Sequence, residues 1–314
     1  MLTRRHIRVK VMQAVYSLNK SGQEDLTKQE KFLLYNMEQM QDLYLLLLQL
    51  LLALKDQAEN KMVLSKKKHL ATELEKNPSR NFIENKVLAL IDSHASFSEI
   101  IKKKKLNYWE QDDEYAAIIY NLLREQKWYT AYLAKKEPSF KEDQEFLIRL
   151  YKEIIAPNEK LYEYLEDKRL TWLDDYPLVN TLMVKMLSKI SLKNIGTVLI
   201  PDVYKDKEDR NFALKLFREV ITNDEKLYSE IEGKTPNWDK ERIAGLDMII
   251  LKMGISEFLY FPSIPVRATI NEYLEISKEY STPKSSIFIN GILDKLVKDF
   301  SETNKLNKIG RGLK

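Results

Sequence analysis

Residues 238–300 read WDKERIAGLDMIILKMGISEFLYFPSIPVRATINEYLEISKEYSTPKSSIFINGILDKLVKDF and divide into three helical segments. Apolar side chains recur at helical spacing from Leu246 to Met253, which predicts an amphipathic helix that ends near Tyr260. Pro262 and Pro265 then break the chain, and the second proline suits the first turn of a new helix. We therefore expect consecutive helices joined by short turns.

The remaining apolar residues of this stretch predict its second and third helices. The second helix is expected to direct Ile270, Leu274 and Ile276 inward and to end at a Ser-Thr-Pro turn. A serine after that turn, Ser285 or Ser286, is expected to cap the third helix.

The same stretch carries a family signature. It resembles the C-terminal signature of the NusB family of bacterial transcription antitermination factors at residues 264–266, 270–272, 285 and 288–295. At the other end of the chain, residues 4–8 and 13–16 are similar to the Arg-rich first helix of that family. The resemblance implies a fold of two helical sub-bundles that binds RNA and has no catalytic activity.

The composition favours helices along the whole chain. The 314 residues are 44% hydrophobic and 31% charged, which is typical of a globular protein with room for two core-bearing units. Only 8 glycines and 9 prolines leave little turn chemistry for a β-fold. We therefore predict an all-α protein.

The residue inventory excludes several kinds of site. With no cysteines and three histidines, the chain has no disulfide or thiolate metal site, and we expect no metal. It contains no G-x-G-x-x-G motif, P-loop or serine elbow, so we expect no cofactor and no enzymatic activity. No apolar segment follows the basic start, and we expect a cytoplasmic protein.

The first helix, expected at residues 3–20, concentrates positive charge. Residues 1–20 contain five Lys and Arg side chains and no acid, although the net charge of the chain is only +4. An apolar stripe from Ile7 to Leu18 would face the core, and Arg5 and Tyr16 fall nearly opposite. A solvated basic face explains this pattern, but the missing acids and the tyrosine favour contact with phosphates and bases.

The family resemblance implies the ligand and its contacts. The ligand is a short single-stranded boxA element in ribosomal-operon transcripts. Phe288 also fits a core position, because it lies at helical spacing from Ile292, and Ile287 replaces a residue that is often basic in the family. The implied RNA contacts are Arg4, Arg5, Arg8, Gln13 and Tyr16 in the first helix, and Lys284, Ser286 and Phe288 at the start of the last helix.

The resemblance also implies protein partners. NusB-family proteins act with the small-subunit ribosomal protein NusE in the antitermination complex of RNA polymerase. Because NusE-type proteins are basic, Asp247 and Glu257 are the candidate contacts, with ordinary solvated acids as the alternative interpretation. We expect structural roles for Asn271 and Glu272, although both recur in the signature.

Residues 43–54 form the apolar run LYLLLLQLLLAL. The run is too short to span a membrane, because a spanning helix needs about 20 apolar residues. We expect it to be buried inside a helical bundle or in a contact between two copies of the chain.

An internal repeat lies between the two ends. Residues 141–172 align with residues 207–238 without gaps and share 14 identities in 32 positions, including Asp143 with Asp209 and Trp172 with Trp238. Each copy predicts two helices, one before and one after its tryptophan, so the repeat indicates a duplicated helical hairpin.

We expect four regions along the chain. They are an N-terminal helical region at 1–135, an inserted hairpin at 136–205, a family-like bundle at 206–300 and a flexible basic tail at 301–314. Within the first region, further helices are predicted at 29–64, 80–92, 95–105 and 112–135.

Three functions compete at this point. The first is an RNA-binding antitermination factor, and the second is a helical protein-interaction module with weakened RNA binding, suggested by the insertion and by Ile287. The third is the RNA-binding appendage of an rRNA-modifying enzyme. It requires a glycine-rich cofactor domain, which this sequence lacks.

Overall fold

The computed structural model describes residues 1–22, 25–66, 77–232, 234 and 245–313, so Trp238 lies outside the described residues. The described part of the chain is helical without a β-strand, and the all-α prediction is confirmed. In chain order its α-helices are α1 (Arg4–Ser21), α2 (Leu26–Lys66), α3 (Lys86–Asp92), α4 (Ala95–Lys104), α5 (Tyr108–Gln111), α6 (Asp113–Arg124), α7 (Lys127–Leu133), α8 (Phe140–Leu150), α9 (Glu159–Lys168), α10 (Trp172–Lys189), α11 (Ile195–Val198), α12 (Lys207–Thr222), α13 (Asp224–Ile231), α14 (Gly245–Tyr260), α15 (Val266–Tyr280) and α16 (Ser285–Glu302). None of these helices is long and apolar enough to cross a membrane.

The helices form two compact units. The central unit consists of Met1 and residues 38–203, and the terminal unit consists of residues 2–37 and 204–314. Helix α2 belongs to both units, because its first part packs in the terminal unit and the remainder packs in the central unit. The Arg-rich helix α1 and the signature helices α14–α16 therefore share one unit.

Helix α14 is the core of the terminal unit. It is buried on every side from Ile249 to Phe258, which suits a helix that other helices surround. Gly254 lets α15 and α16 pack closely against α14, since an added Cβ would lie 3.0 Å from Leu293 and 3.5 Å from Tyr273.

The inner face of α15 differs from the prediction. Ile276 is buried as expected, but Ile270 and Leu274 are only half-buried, and Thr269 and Tyr273 occupy the inner positions instead. Both inner residues have hydroxyl groups that bind a carboxylate inside the core, described below. Apolar periodicity could not identify this face, because its buried residues are partly polar.

The start of α16 also differs from the prediction. Lys284 is the N-cap residue and makes no side-chain capping bond. The hydroxyl group of Ser285 donates instead to Asp247 Oδ2 at 2.7 Å. The expected serine cap is therefore absent, and the Ser285 hydroxyl binds a buried carboxylate of α14.

The leucine run is buried in the central unit. Eight leucines between residues 43 and 54 have no exposed surface, which confirms the expected burial in a bundle. Two tryptophans hold this part of α2 in place: Trp109 Nε1 donates to the Leu46 carbonyl at 2.8 Å, and Trp172 Nε1 donates to the Gln39 carbonyl at 2.9 Å.

Among the described residues, each copy of the repeat contains one helix more than predicted. In the first copy the helical chain of α8, with a π-turn at Tyr151–Ile155, stops at Pro157, and Asn158 caps α9. In the second copy the chain breaks between α12 and α13 at Asn223, which is the position equivalent to Pro157. The two copies therefore share their break.

Several predicted boundaries are corrected. Asn85 caps α3, so residues 80–85 are not helical, and the helix expected at 112–135 is divided into α6 and α7 at Glu125 and Gln126. Asp174 and Asp175 lie in the first turn of α10.

The C-terminal residues were expected to form a flexible tail, but they pack back onto the terminal unit. Lys308 Nζ donates to the Glu257 and Phe261 carbonyl oxygens, at 3.0 Å each, and Ile309 N–H donates to the Pro262 carbonyl at 3.1 Å. A Cβ at Gly312 would overlap the Pro262 carbonyl oxygen, so only glycine fits this approach. We call residues 305–313 the C-terminal strap.

Candidate nucleic-acid interface

Arg8 forms a buried ion pair in the terminal unit. Its Nε and Nη2 atoms lie 2.6 and 2.9 Å from the two carboxylate oxygens of Glu257, which has no exposed surface. Thr269 Oγ1 and Tyr273 Oη donate to the same carboxylate at 3.1 and 2.8 Å. Burial and the adjacent Glu257 charge raise the pKa of Tyr273, so its phenol remains a donor. All four groups therefore satisfy one another.

This ion pair corrects two predictions. Arg8 was expected to contact RNA, but its guanidinium group is inside the core and is oriented toward a carboxylate. Glu257 was expected on a partner surface, and it is the buried carboxylate of that pair. The spacing within α1 gave no sign of this, because the partner lies 249 residues further along the chain.

Arg5 and Arg4 are half-exposed and also hold carboxylates. Arg5 binds Glu272 through two parallel hydrogen bonds of 3.0 Å, and this contact raises the pKa of Arg5. Arg4 Nε lies 2.6 Å from Asp209, and its guanidinium group lies 4.5 Å from the ring centre of Phe212. Both arginines therefore have structural roles, although each retains some surface for a ligand.

The internal repeat indicated in advance that Asp209, the partner of Arg4, has a structural role. Asp209 is the counterpart of Asp143, and both aspartates are buried. Asp143 accepts from Tyr132 Oη at 2.6 Å and from the Lys86 N–H at 2.8 Å, so neutral donors satisfy it. An aspartate identical in both copies indicates a structural acceptor, and in the terminal unit its donor is Arg4.

Tyr16 is the exposed aromatic residue of α1. Its side chain is 42% exposed, and Lys20 Nζ lies 5.7 Å from the ring centre. Gln13 is half-buried on the same helix. An exposed tyrosine beside a cation can stack on an unpaired base, as the sequence predicts.

The start of α16 presents a mixed surface. Lys284 is exposed, and Ser286 and Phe288 are half-buried. Ile287 is 77% exposed, so an apolar side chain stands at the position where the resemblance leads one to expect a basic residue. Asp247 lies beneath this turn and accepts from Ser281 at 2.6 Å and from Ser285 at 2.7 Å. Its burial corrects the prediction that Asp247 faces a protein partner.

Both predicted RNA segments are fixed to α14. Arg8 of α1 is held by Glu257, and the start of α16 is held by Asp247, ten residues earlier on the same helix (257 − 247 = 10). Ten residues of α-helix span about 15 Å. Helix α1 and the start of α16 are therefore both attached to the same helix, α14.

The described residues contain no cluster of three or more acidic, histidine or cysteine side chains that could hold a metal ion.

The lysine run at 102–105 lies at the end of α4, where cations stabilise the helix dipole. Lys104 of this run binds Asp42 at 2.5 Å.

Comparison with known proteins identifies the family. The model of the NusB family matches residues 179–298. The chain is 40% identical over 109 residues to the transcription antitermination protein NusB of Salinibacter ruber, covering 35% of this chain and 68% of that protein. It is 36% identical over 126 residues to the Chloroherpeton thalassium protein of the same name, covering 40% and 60%. With the Methylacidiphilum infernorum protein the identity is 39% over 94 residues, covering 30% and 66%.

A solved structure of T. maritima NusB also matches, with 28% sequence identity and a TM-score of 0.31, over 40% of this chain and 87% of that chain. The curated relatives are all named transcription antitermination proteins, which defines the class. The chain belongs to the NusB family. The family match leaves residues 1–178 uncovered, as fits an extended member, and the chain spans 60 to 68% of the length of these relatives.

Proposed function

We propose that this protein binds boxA-like single-stranded RNA of ribosomal-operon transcripts and acts in transcription antitermination with the ribosomal protein NusE. The family relationship supports the general role. The observation that supports RNA binding most directly is the common attachment of α1 and the α16 start to α14. Single-stranded RNA needs several contacts in fixed positions, and one rigid helix can supply that spacing.

The proposed RNA surface follows the exposure of the predicted residues. Tyr16 stacks on a base, and Lys284 contacts a phosphate together with the first N–H groups of α16. The proposed surface also includes three half-buried side chains, which are Gln13 of α1 and Ser286 and Phe288 of α16. In this proposal Arg4 and Arg5 remain paired with Asp209 and Glu272, whereas Arg8 supports the fold.

A titration with a labelled boxA oligonucleotide and a scrambled control tests this proposal. Tyr16→Ala should weaken boxA binding by about 1–3 kcal/mol, the usual value of one base stacked on an aromatic ring. The matched control is Tyr162→Ala, because Tyr162 is 38% exposed and lies in the central unit. Equal affinity for boxA and scrambled RNA, with no effect of Tyr16→Ala, would refute the RNA proposal.

A helical protein-interaction module with weakened RNA binding is the second candidate. It is favoured by the ion pairs that occupy Arg4, Arg5 and Arg8, and by the exposed Ile287. A pull-down that recovers NusE from extract, combined with boxA affinity no better than for scrambled RNA, would select this candidate.

A further inference from the structure

An open apolar groove lies in the central unit and contains none of the proposed RNA contacts. Its volume is about 810 Å³. One wall is the outer face of α3, where Lys86, Ala89, Leu90 and Ser93 lie at positions i, i+3, i+4 and i+7. This is the spacing of one face of a helix.

The opposite wall is the loop that follows α10, with Leu192 at its tip. Leu192 is 77% exposed, yet its loop is held by hydrogen bonds. Ser191 N–H donates to Asn194 Oδ1, and the Asn194 side-chain amide donates to the Lys189 carbonyl, both at 2.8 Å. The structure therefore presents a large apolar side chain on a fixed turn, so a ligand would not have to order it.

The α3 wall is fixed as well. The Asn85 side chain accepts from the Val87 and Leu88 N–H groups at 3.0 and 3.1 Å, and this caps the helix. The Lys86 N–H donates to the buried Asp143. Because both walls are already ordered, an apolar ligand would gain the free energy of burial without paying for their rearrangement.

The charges at the groove have one sign. Lys86 and Lys193 are exposed, and no carboxylate side chain lies among the lining residues. Glu137 approaches Lys86 only to 3.9 Å and is 86% exposed, so it screens that lysine weakly. The groove therefore has an apolar centre of Leu90, Leu192 and Phe140 with cations beside it.

We propose that this groove binds an acidic amphipathic α-helix of a partner protein. Its aliphatic residues would pack against Leu90, Leu192 and Phe140, and its Asp or Glu side chains would face Lys86 and Lys193. A helix suits the α3 wall, since ridges at i+3 and i+4 spacing accept a second helix about 8–10 Å away. Helix α3 has seven residues and is about 10 Å long, so roughly two turns of a partner would cover the wall.

Fluorescence anisotropy of the full-length protein tests this proposal. The probe is a labelled synthetic helix of about 18 residues, with leucines at i, i+3, i+4 and i+7 and glutamates beside them, and the control replaces every glutamate with lysine. We expect saturable binding of the acidic peptide and about tenfold weaker binding of the basic one. Leu192→Asp and Lys193→Glu should each weaken binding of the acidic peptide about tenfold or more.

The matched control is Leu170→Asp, because Leu170 is 70% exposed in the same unit but does not line the groove. It should leave binding unchanged. The proposal is overturned if the acidic peptide does not saturate, if both peptides bind equally, or if Leu192→Asp binds like Leu170→Asp.

A photo-crosslinker at position 192, compared with one at position 170, identifies the natural occupant in extract. A crosslink specific to position 192 supports the proposal when mass spectrometry places it in an acidic amphipathic helix of another protein. A crosslink to a second copy of this chain or to nucleic acid overturns it.

Discussion

The sequence predicts Arg8 to be a surface residue, but in the structure its side chain is part of the core. Its position in α1 places it beside the apolar stripe, where long basic side chains usually reach solvent. Only the packing of α14 and α15 brings Glu257 and the two hydroxyl donors to it. Periodicity within one helix could not predict this contact, because all the partners come from distant helices.

Arg8→Ala should destabilise the protein strongly. The substitution leaves the Glu257 carboxylate buried without its counter-ion, and breaking a buried pair in this way costs about 3–5 kcal/mol. Urea unfolding measured by circular dichroism would give the change in the free energy of unfolding.

Arg5→Ala is the matched control, because Arg5 pairs with Glu272 at a half-exposed position. Its loss should cost about 0.2–1 kcal/mol, as for exposed pairs. Similar losses of stability in the two variants would show that the Arg8 pair is open to water.

Among the helices and turns, the packing of the C-terminal strap against the terminal unit can be tested with one substitution. Gly312→Ala should release the strap, since the new Cβ would overlap the Pro262 carbonyl oxygen. Burial lowers the pKa of Lys308 to about 8. Release should return that pKa toward its ordinary value of 10.5, which NMR titration of the lysine side chains would detect. Gly291→Ala is the control, because Gly291 is exposed in α16 and an added Cβ would meet no side chain or other element within 4 Å.

The sign of the accompanying pH effect follows from proton binding. In the folded protein Lys308 loses its proton near pH 8, whereas in the unfolded chain it keeps that proton until about pH 10.5. The unfolded state binds more protons in this window, so the Lys308 contribution to stability rises with pH between these values. Gly312→Ala should remove this rise, and a Lys308 pKa that stays near 8 in the variant would show that the strap remains bound.

Helix boundaries were predictable where the sequence carries a breaker. Pro262 and Pro265 separate α14 from α15 as expected. The repeat also contains a breaker at Pro157, but the prediction overlooked it. The break between α6 and α7 falls at Glu125 and Gln126, where neither glycine nor proline marks it. No breaker residue in the sequence could have predicted that boundary.

At the scale of the whole molecule, the two repeat copies differ in what surrounds them. Helix α14 of the second copy is buried on all sides and needs α15 and α16 as cover. Helix α10 of the first copy leaves Asp174, Thr181 and Ser188 exposed, so one face is already suited to water. The leucine run of α2 supplies much of the remaining core of that unit. The sequence predicted both the duplication and that only the second copy is followed by the signature helices, but it did not show that α10 keeps one face for water.

The salt dependence of RNA binding reports how many cations of the whole protein reach phosphate. For single strands the logarithm of the binding constant falls with a slope of about −0.7 per phosphate contact. Of the four predicted cations, Arg8 is buried and Arg4 and Arg5 hold carboxylates, whereas Lys284 is exposed. We expect a slope near −0.7 rather than the value of about −2.8 for four contacts. Titrations between low and high potassium chloride would measure it.

A slope near −2.8 would mean that RNA draws the arginines away from their carboxylates. Glu272→Gln separates the two cases, because it removes the negative charge that holds Arg5 and keeps the shape of the partner side chain. The slope should steepen in this variant if Arg5 is otherwise occupied, and it should stay unchanged if Arg5 already contacts phosphate.

The two buried aspartates of the repeat bear on how relatives of this chain should be compared. Asp143 is satisfied by a phenol and a backbone amide, whereas its twin Asp209 depends on Arg4. An arginine kept through evolution for the sake of Asp209 would look, in any set of aligned sequences, the same as one kept for a nucleic acid. Relatives that have lost the aspartate but retained the arginine are the informative ones, because only in them does the arginine need another reason to persist.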